Sequence, residues 1–109
     1  MNERKLSSFS KGVTGSYEAI LAIPFVGGSI VLMSGWQALS LAFTLHIIVL
    51  FISLYARTSA LPSIMGIIAS IAGYIPVIGW FFHAVAMVVL LTSAYSDHKQ
   101  AKAEPKLEE

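Results

Sequence analysis

Cysteine is absent from this chain of 109 residues. Its absence excludes disulfide bonds, thiolate metal sites and cysteine nucleophiles, and it leaves the redox compartment undetermined. The length suits a single domain. Any chemistry that the chain performs therefore has to use other side chains.

Charge is scarce as well, since Lys and Arg number 7, Asp and Glu number 6, and the net charge is +1. Charged residues make up 12% of the chain, whereas soluble domains carry about 25%. Hydrophobic residues make up 56%, and the mean hydropathy is +0.75. This balance predicts a protein whose outer surface faces lipid. The small net charge provides no basic field for nucleic acid, so no nucleic-acid partner is expected.

The few charges are clustered, and they leave two long apolar windows. Ala19 to Ala56 comprises 38 residues without a formal charge, and Thr58 to Ser96 comprises 39. A membrane-spanning helix needs about 20 residues, and a single helix of 38 residues would measure roughly 57 Å. Each window is therefore predicted to fold back on itself. The predicted fold is an all-α membrane protein with four transmembrane helices in two helical hairpins, joined at Arg57.

Two candidate turns set the bounds of these helices. Ser34 to Gln37 divides the first window, and Gly73 to Gly79, with Pro76 inside it, divides the second. The prediction is a cytoplasmic N-terminal segment (1–16), a transmembrane domain (17–96) and a polar cytoplasmic tail (97–109). The four predicted helices of the transmembrane domain are 17–33, 37–56, 61–73 and 79–96. The first helix is interpreted as a signal anchor. The third helix is short, and a three-span alternative would place the tail outside.

Aromatic residues predict where the membrane surfaces lie. Tyr and Trp favour the interface between lipid and water. Tyr17, Tyr55 and Tyr95 lie near charged residues and the two tryptophans lie near the two turns, so these tyrosines and tryptophans are expected to mark opposite faces. All Lys and Arg residues lie on the tyrosine side, which predicts a multi-pass protein of the cell (inner or plasma) membrane with both termini in the cytoplasm. The predicted interface anchors are Tyr17, Trp36, Tyr55, Arg57, Trp80 and Tyr95.

A faint internal repeat suggests a different first turn. Residues 23–28, with Pro24, resemble residues 75–80, with Pro76, although apolar composition alone produces such similarities. A turn at Pro24 would require the first helix to begin near Leu6 and to bury Lys11 and Glu18. Burial of those charges costs a few kcal/mol each. We therefore predict the turn near Trp36 and only a kink at Pro24.

Small residues recur along one side of the third predicted helix. Their spacings of four, three, four and three place them in one stripe, and such stripes let membrane helices approach closely. The stripe predicts a packing seam inside one bundle, with a homodimer face as the alternative. Its members are Ser59, Ser63, Gly66, Ser70 and Gly73.

Three side chains are candidates for a proton-binding or other polar site. His46 is predicted near the bilayer midplane, where an ionisable group suggests function, and imidazole exchanges protons near neutral pH. Glu18 is predicted at the cytoplasmic edge of the first helix, and His83 near the outer boundary. Each also has a plain structural interpretation, as a hydrogen-bonding or helix-terminal group. No metal site, cofactor or catalytic residue is predicted, because the two histidines are expected at different depths without a nearby carboxylate.

The overall plan resembles that of two groups of membrane proteins. Its size, its four predicted helices and a glutamate in the first helix resemble small multidrug-resistance transporters. Its size and charged tail resemble phage holins. The likeness covers the plan alone, because Glu18 is predicted at the edge of its helix, whereas the transporter glutamate lies well inside. The chain is assigned to no family.

The leading functional hypothesis is a non-enzymatic accessory, regulatory or envelope-stress or immunity protein that acts through helix contacts. Its partners would be the lipid bilayer and either a further copy or a larger membrane protein. The alternatives are a small proton-coupled transporter or ion-conducting oligomer that uses His46 and Glu18, and a holin-like lesion former. An enzyme is not expected, since no set of catalytic groups lies at one predicted depth.

Overall fold

The computed structural model describes residues 2–103, and every regular element in that range is an α-helix. The helices are α1 (Glu3–Leu21), α2 (Val26–Met33), α3 (Gln37–Ala56), α4 (Leu61–Ala72) and α5 (Pro76–Ala103). The all-helical fold class is confirmed. The end of the predicted tail, residues 104–109, lies outside the described residues.

Two helices are long and apolar enough to cross a membrane, namely α3 and residues Val77–Ala103 of α5. Helices α1 and α2 pass the same test together, but they meet at an angle of 96°. Helix α4 has 12 residues and a length of about 18 Å, which is short for ~30 Å of hydrocarbon. The described residues thus provide two to three candidate spans, not clearly the four predicted.

Helices α1, α3, α4 and α5 form an antiparallel ring in which each helix packs against two neighbours. The packing of α1 against α5 is the most extensive. Helix α2 lies across one end of the ring. We call that end the tryptophan end, because it carries Trp36 and Trp80. The opposite end, with Tyr55 and Tyr95, is the tyrosine end.

The first predicted helix, 17–33, differs from the structure at both ends. Helix α1 begins at Glu3, where the Asn2 side chain accepts a hydrogen bond from the backbone N–H of Lys5 at 2.8 Å. It ends at Leu21, because the Pro24 ring would collide with the preceding turn of a continuous helix. Phe25 then adopts a φ of 66°, and the chain turns sharply into α2. Pro24 is thus the site of a break and not of a kink.

The predicted turn at Ser34 is present between α2 and α3. Gly35 adopts a φ of 60°, and the N–H groups of Gly35 and Trp36 bond back to the carbonyls of Leu32 and Val31 at 3.1 and 2.9 Å. This is the Schellman arrangement, which satisfies the last carbonyls of a helix and favours glycine at the left-handed position. It leads directly into α3, whose bounds are those predicted.

The interior of the ring holds many polar side chains beside its apolar core, and its outside carries many large apolar side chains. Buried polar and charged side chains include Ser7, Lys11, Thr14, Glu18, His46, Ser53, Ser63, Ser70, His83 and Asp97. Large apolar side chains on the outside include Phe9, Phe51, Leu54, Val77 and Phe81, each more than half exposed. Charged side chains are almost never fully buried in water-soluble proteins unless they are paired. The exposed apolar side chains fit helices that could cross a membrane, because apolar surface is not costly in lipid.

Helix α5 continues past its predicted end at Ser96, and Asp97 is buried although it was assigned to a solvated tail. Tyr17 also differs from its predicted place. Its hydroxyl donates to the carbonyl oxygen of Ala38 at 2.7 Å, which places it near the tryptophan end and away from Tyr55. Tyr17 therefore does not lie on the same face as Tyr55 and Tyr95, as was predicted.

Candidate functional site

A buried carboxylate lies between two imidazoles inside the bundle. Glu18 Oε1 is 2.5 Å from His46 Nε2, and Glu18 Oε2 contacts His83 Nδ1. Glu18 and His46 are fully buried, and His83 is 3% exposed. The three residues come from α1, α3 and α5. We call them the Glu–His–His cluster.

The cluster forms because α1 is longer than the sequence analysis predicted. Four turns of helix precede Glu18, which places it deep in the bundle and not at an edge. Side chains on a helix lean toward its N-terminus, so Glu18 leans toward the tyrosine end and His46, on an antiparallel helix, toward the tryptophan end. These opposite inclinations bring together the side chains of Glu18 and His46, which were predicted at different depths in the membrane.

Glycines on α4 make room for both imidazoles. A methyl group at Gly66 would overlap the His46 ring, and one at Gly73 would lie 2.8 Å from His83 Nε2. Of the predicted packing seam, Ser63, Gly66, Ser70 and Gly73 are buried, whereas Ser59 is exposed and precedes the helix. The seam therefore faces the interior of one bundle, and its glycines accommodate the rings of the cluster.

Each imidazole keeps one nitrogen that bonds nothing in the described part of the chain. These atoms, His46 Nδ1 and His83 Nε2, are both buried. When Glu18 is ionised it can only accept hydrogen bonds, so His46 Nε2–H and His83 Nδ1–H donate to it. Each outer nitrogen then presents a lone pair that is free to take up a proton.

A second buried polar layer lies about two helical turns away, toward the tyrosine end. Lys11 Nζ donates to Asp97 Oδ2 at 2.8 Å, to Ser93 Oγ at 2.9 Å and to Thr58 Oγ1 at 3.4 Å. Ser7 Oγ donates to the same Asp97 oxygen at 2.7 Å. All three ammonium hydrogens have acceptors, and the opposite charges of the pair balance. We call this set the Lys–Asp layer.

Sequence reasoning missed Lys11 and Asp97, but a signal was present. Positions 7, 11, 14 and 18 on α1 are all polar, with spacings of four, three and four. Those spacings place them on one side of a helix, and that side faces the interior. The cost of burying Lys11 was the objection to a long first helix. The partner Asp97, 86 residues later, removes that objection.

The remaining predicted residues lie outside the cluster. Tyr55, Arg57 and Tyr95 are exposed at the tyrosine end, and Trp36 and Trp80 are exposed at the other. Among residues 2–103, no group of three or more His, Asp or Glu side chains has a geometry suited to a metal ion. The inner nitrogens of the cluster point at the carboxylate oxygens, which favours shared protons over a shared metal.

Comparison of the chain with known protein families, with curated proteins and with solved structures finds no match in any of the three.

Proposed function

We propose that this chain is a small proton-translocating membrane protein, and that the Glu–His–His cluster is its proton-binding site. The observation that supports this most is the fully buried Glu18 carboxylate with one imidazole on each oxygen. Ionisable groups inside a membrane bundle are costly and usually serve transport. Imidazole is the side chain that exchanges protons near neutral pH.

The chemistry follows from the charges of the three groups. With both imidazoles neutral, ionised Glu18 gives the cluster one buried negative charge. Uptake of one proton at an outer imidazole nitrogen produces an imidazolium beside the carboxylate, and the net charge of the cluster rises from minus one to zero. An opposite charge at hydrogen-bond distance stabilises the charged form of each partner. Because Glu18 contacts both rings, the proton can be held at His83, Glu18 or His46 with little movement of heavier atoms.

The membrane topology belongs to the same proposal. We infer four crossings by α1, α3, α4 and α5 in the cell membrane, with both termini in the cytoplasm. The apolar exterior of the ring supports this, as does the position of all described Lys and Arg residues on the tyrosine side of the cluster. Helix α4 would cross where the bilayer is locally thin, with flanking residues completing its span.

The test is proton flux into liposomes that contain the purified protein and a pH-sensitive dye, driven by an imposed gradient. Glu18→Gln is expected to reduce the flux to that of empty liposomes, because a neutral amide cannot exchange protons with the imidazoles. Glu3→Gln makes the same chemical change at an exposed position and should leave the flux unchanged. Equal flux from wild type and Glu18→Gln would exclude this function.

An accessory role is the second candidate, in which the bundle stabilises or regulates a larger membrane protein. A shallow groove on α1, lined by Phe9, Gly12, Val13, Ser16 and Leu91, supports it, because a partner helix could approach the small residues closely. A partner that copurifies in stoichiometric amount in mild detergent, and is lost in Gly12→Leu, would favour this role. Recovery of the chain alone, with proton flux, would exclude it.

A further inference from the structure

A narrow pocket enters the bundle from the tryptophan end and reaches the Glu–His–His cluster. Its volume is about 20 Å³, which is enough for one water molecule. Exposed Trp36 and Trp80 lie at the outer part of its wall, and buried Gly73 and His83 lie at the inner part. Trp80 Nε1 donates to the carbonyl oxygen of Ala22 at the end of α1, which holds its indole in place.

The unpartnered nitrogen of His83 lies at the inner end of this pocket. His83 Nδ1 is occupied by Glu18, whereas Nε2 has no hydrogen-bond partner in the range 2–103. A methyl group at Gly73, which also lines the pocket, would lie 2.8 Å from Nε2. His83 Nε2 is buried, and glycine at position 73 keeps the space beside it free of a side chain.

We propose that the pocket holds a water molecule or hydronium ion that exchanges protons with His83 Nε2, so that the cluster is loaded from the tryptophan end. This inference rests on the proposed function and adds the side from which protons arrive. The ligand must be a hydrogen-bond donor, because Nε2 carries a lone pair when Nδ1–H donates to Glu18. It must also be small, since the inner pocket is bounded by glycines and apolar side chains.

The proton transfer balances within these groups. Hydronium gives its proton to His83 Nε2 and leaves as water. The resulting imidazolium passes its Nδ1 proton to Glu18 Oε2. Neutral imidazole, now with its hydrogen on Nε2, remains beside a neutral carboxylic acid. One proton has entered the cluster, and its net charge has risen from minus one to zero.

The approach to the cluster from the tyrosine end differs from the approach through the pocket. His46 Nδ1 faces Gly66 in the interior and not the pocket. Farther toward the tyrosine end, Lys11 and Asp97 are both buried and paired with each other. In this structure the route to the cluster from that end is filled by the Lys–Asp layer. Among the described residues, the pocket at the tryptophan end therefore provides the approach to the cluster.

The test uses single cysteines, which are unique in this chain because it has none of its own. Gly28 lines the pocket, and a side chain there would meet no atom within 4 Å. Ser29, its neighbour on α2, is exposed and not among the pocket residues. Gly28→Cys and Ser29→Cys are labelled to completion with a small, charged, membrane-impermeant thiol reagent, and labelling is checked by mass.

Two readouts are compared, namely proton flux and deuterium exchange from water at the ring carbon Cε1 of His83, located by peptide mass. Labelled Gly28→Cys should lose both, and labelled Ser29→Cys should keep both. Undiminished deuterium exchange at His83 in labelled Gly28→Cys would overturn the pocket as the route, whatever the flux. If His83 is protected in labelled Gly28→Cys but the wild-type protein shows no proton flux, the result would support the pocket and refute the proposed function. Protected His83 with undiminished flux would overturn proton entry through the pocket.

Discussion

The bundle contains two buried polar layers that differ in what they leave unpaired. The Lys–Asp layer uses all three ammonium hydrogens of Lys11, and its charges cancel. The Glu–His–His cluster carries one carboxylate between two imidazoles and leaves two buried nitrogens without a hydrogen-bond partner among residues 2–103. Polar groups whose hydrogen bonds are all made stabilise one arrangement of the side chains. Polar groups that still have a free donor or acceptor can bind a further ligand. The first layer is suited to structure, and the second to proton exchange.

The largest expected effect is on the Lys–Asp layer. Lys11→Met leaves Asp97 buried without its counter-charge, and we expect a loss of about 3–5 kcal/mol in the free energy of unfolding. The double variant Lys11→Met/Asp97→Leu removes both charges and should recover most of that loss. Equilibrium unfolding in detergent, followed by circular dichroism, measures both. If the double variant were less stable than the single one, the layer would not act as an isolated pair.

A smaller effect is expected where α4 meets the cluster. Gly66→Ala introduces a methyl group that overlaps the His46 ring, and overpacking of this kind costs about 1–3 kcal/mol. Proton flux should fall as well, because the ring is displaced from Glu18. Gly12→Ala is the matched control, since a methyl group there meets nothing within 4 Å. Equal stability and flux in the two variants would contradict the described packing around His46.

The smallest expected effect on the free energy of unfolding is the difference between the alanine variants of two buried serines. Ser7 Oγ lies 2.7 Å from both Thr58 Oγ1 and Asp97 Oδ2, so Ser7→Ala should cost about 1–3 kcal/mol. Ser63 Oγ is buried without a partner among the described residues. Ser63→Ala is therefore expected to be neutral or slightly stabilising, because no hydrogen bond is lost. Equilibrium unfolding in detergent measures both variants. An equal loss in the free energy of unfolding for Ser7→Ala and Ser63→Ala would contradict the distinction between hydrogen-bonded and unpartnered serines.

The sequence predicted features that depend on local composition. The helical class, the bounds of α3 and the turn after Ser34 follow from apolar length, glycine and proline. The break at Pro24 was weighed and rejected, because the cost of burying Lys11 was counted without a partner. That partner is 86 residues distant in the chain, and only the packing of α1 against α5 brings the two charges together.

The candidate site was predicted as three residues but not as one cluster. His46, His83 and Glu18 were each selected because polar groups in apolar segments are unusual. Their meeting depends on the depth of Glu18 in α1, and therefore on where that helix begins and ends. The glycines at positions 66 and 73 were interpreted as a packing seam. Their role beside the imidazoles requires knowledge of the facing side chains.

Solid-state NMR in lipid bilayers tests the central claim most directly, with ¹³C-labelled glutamate and ¹⁵N-labelled histidine. One glutamate carboxyl carbon should couple to side-chain nitrogens of two histidines, at the distances of about 4 Å or less that hydrogen bonds impose. That coupling should disappear in Glu18→Gln, and the histidine nitrogen shifts should change when the sample is acidified. A spectrum without such coupling, or with shifts that do not respond to acid, would contradict the account.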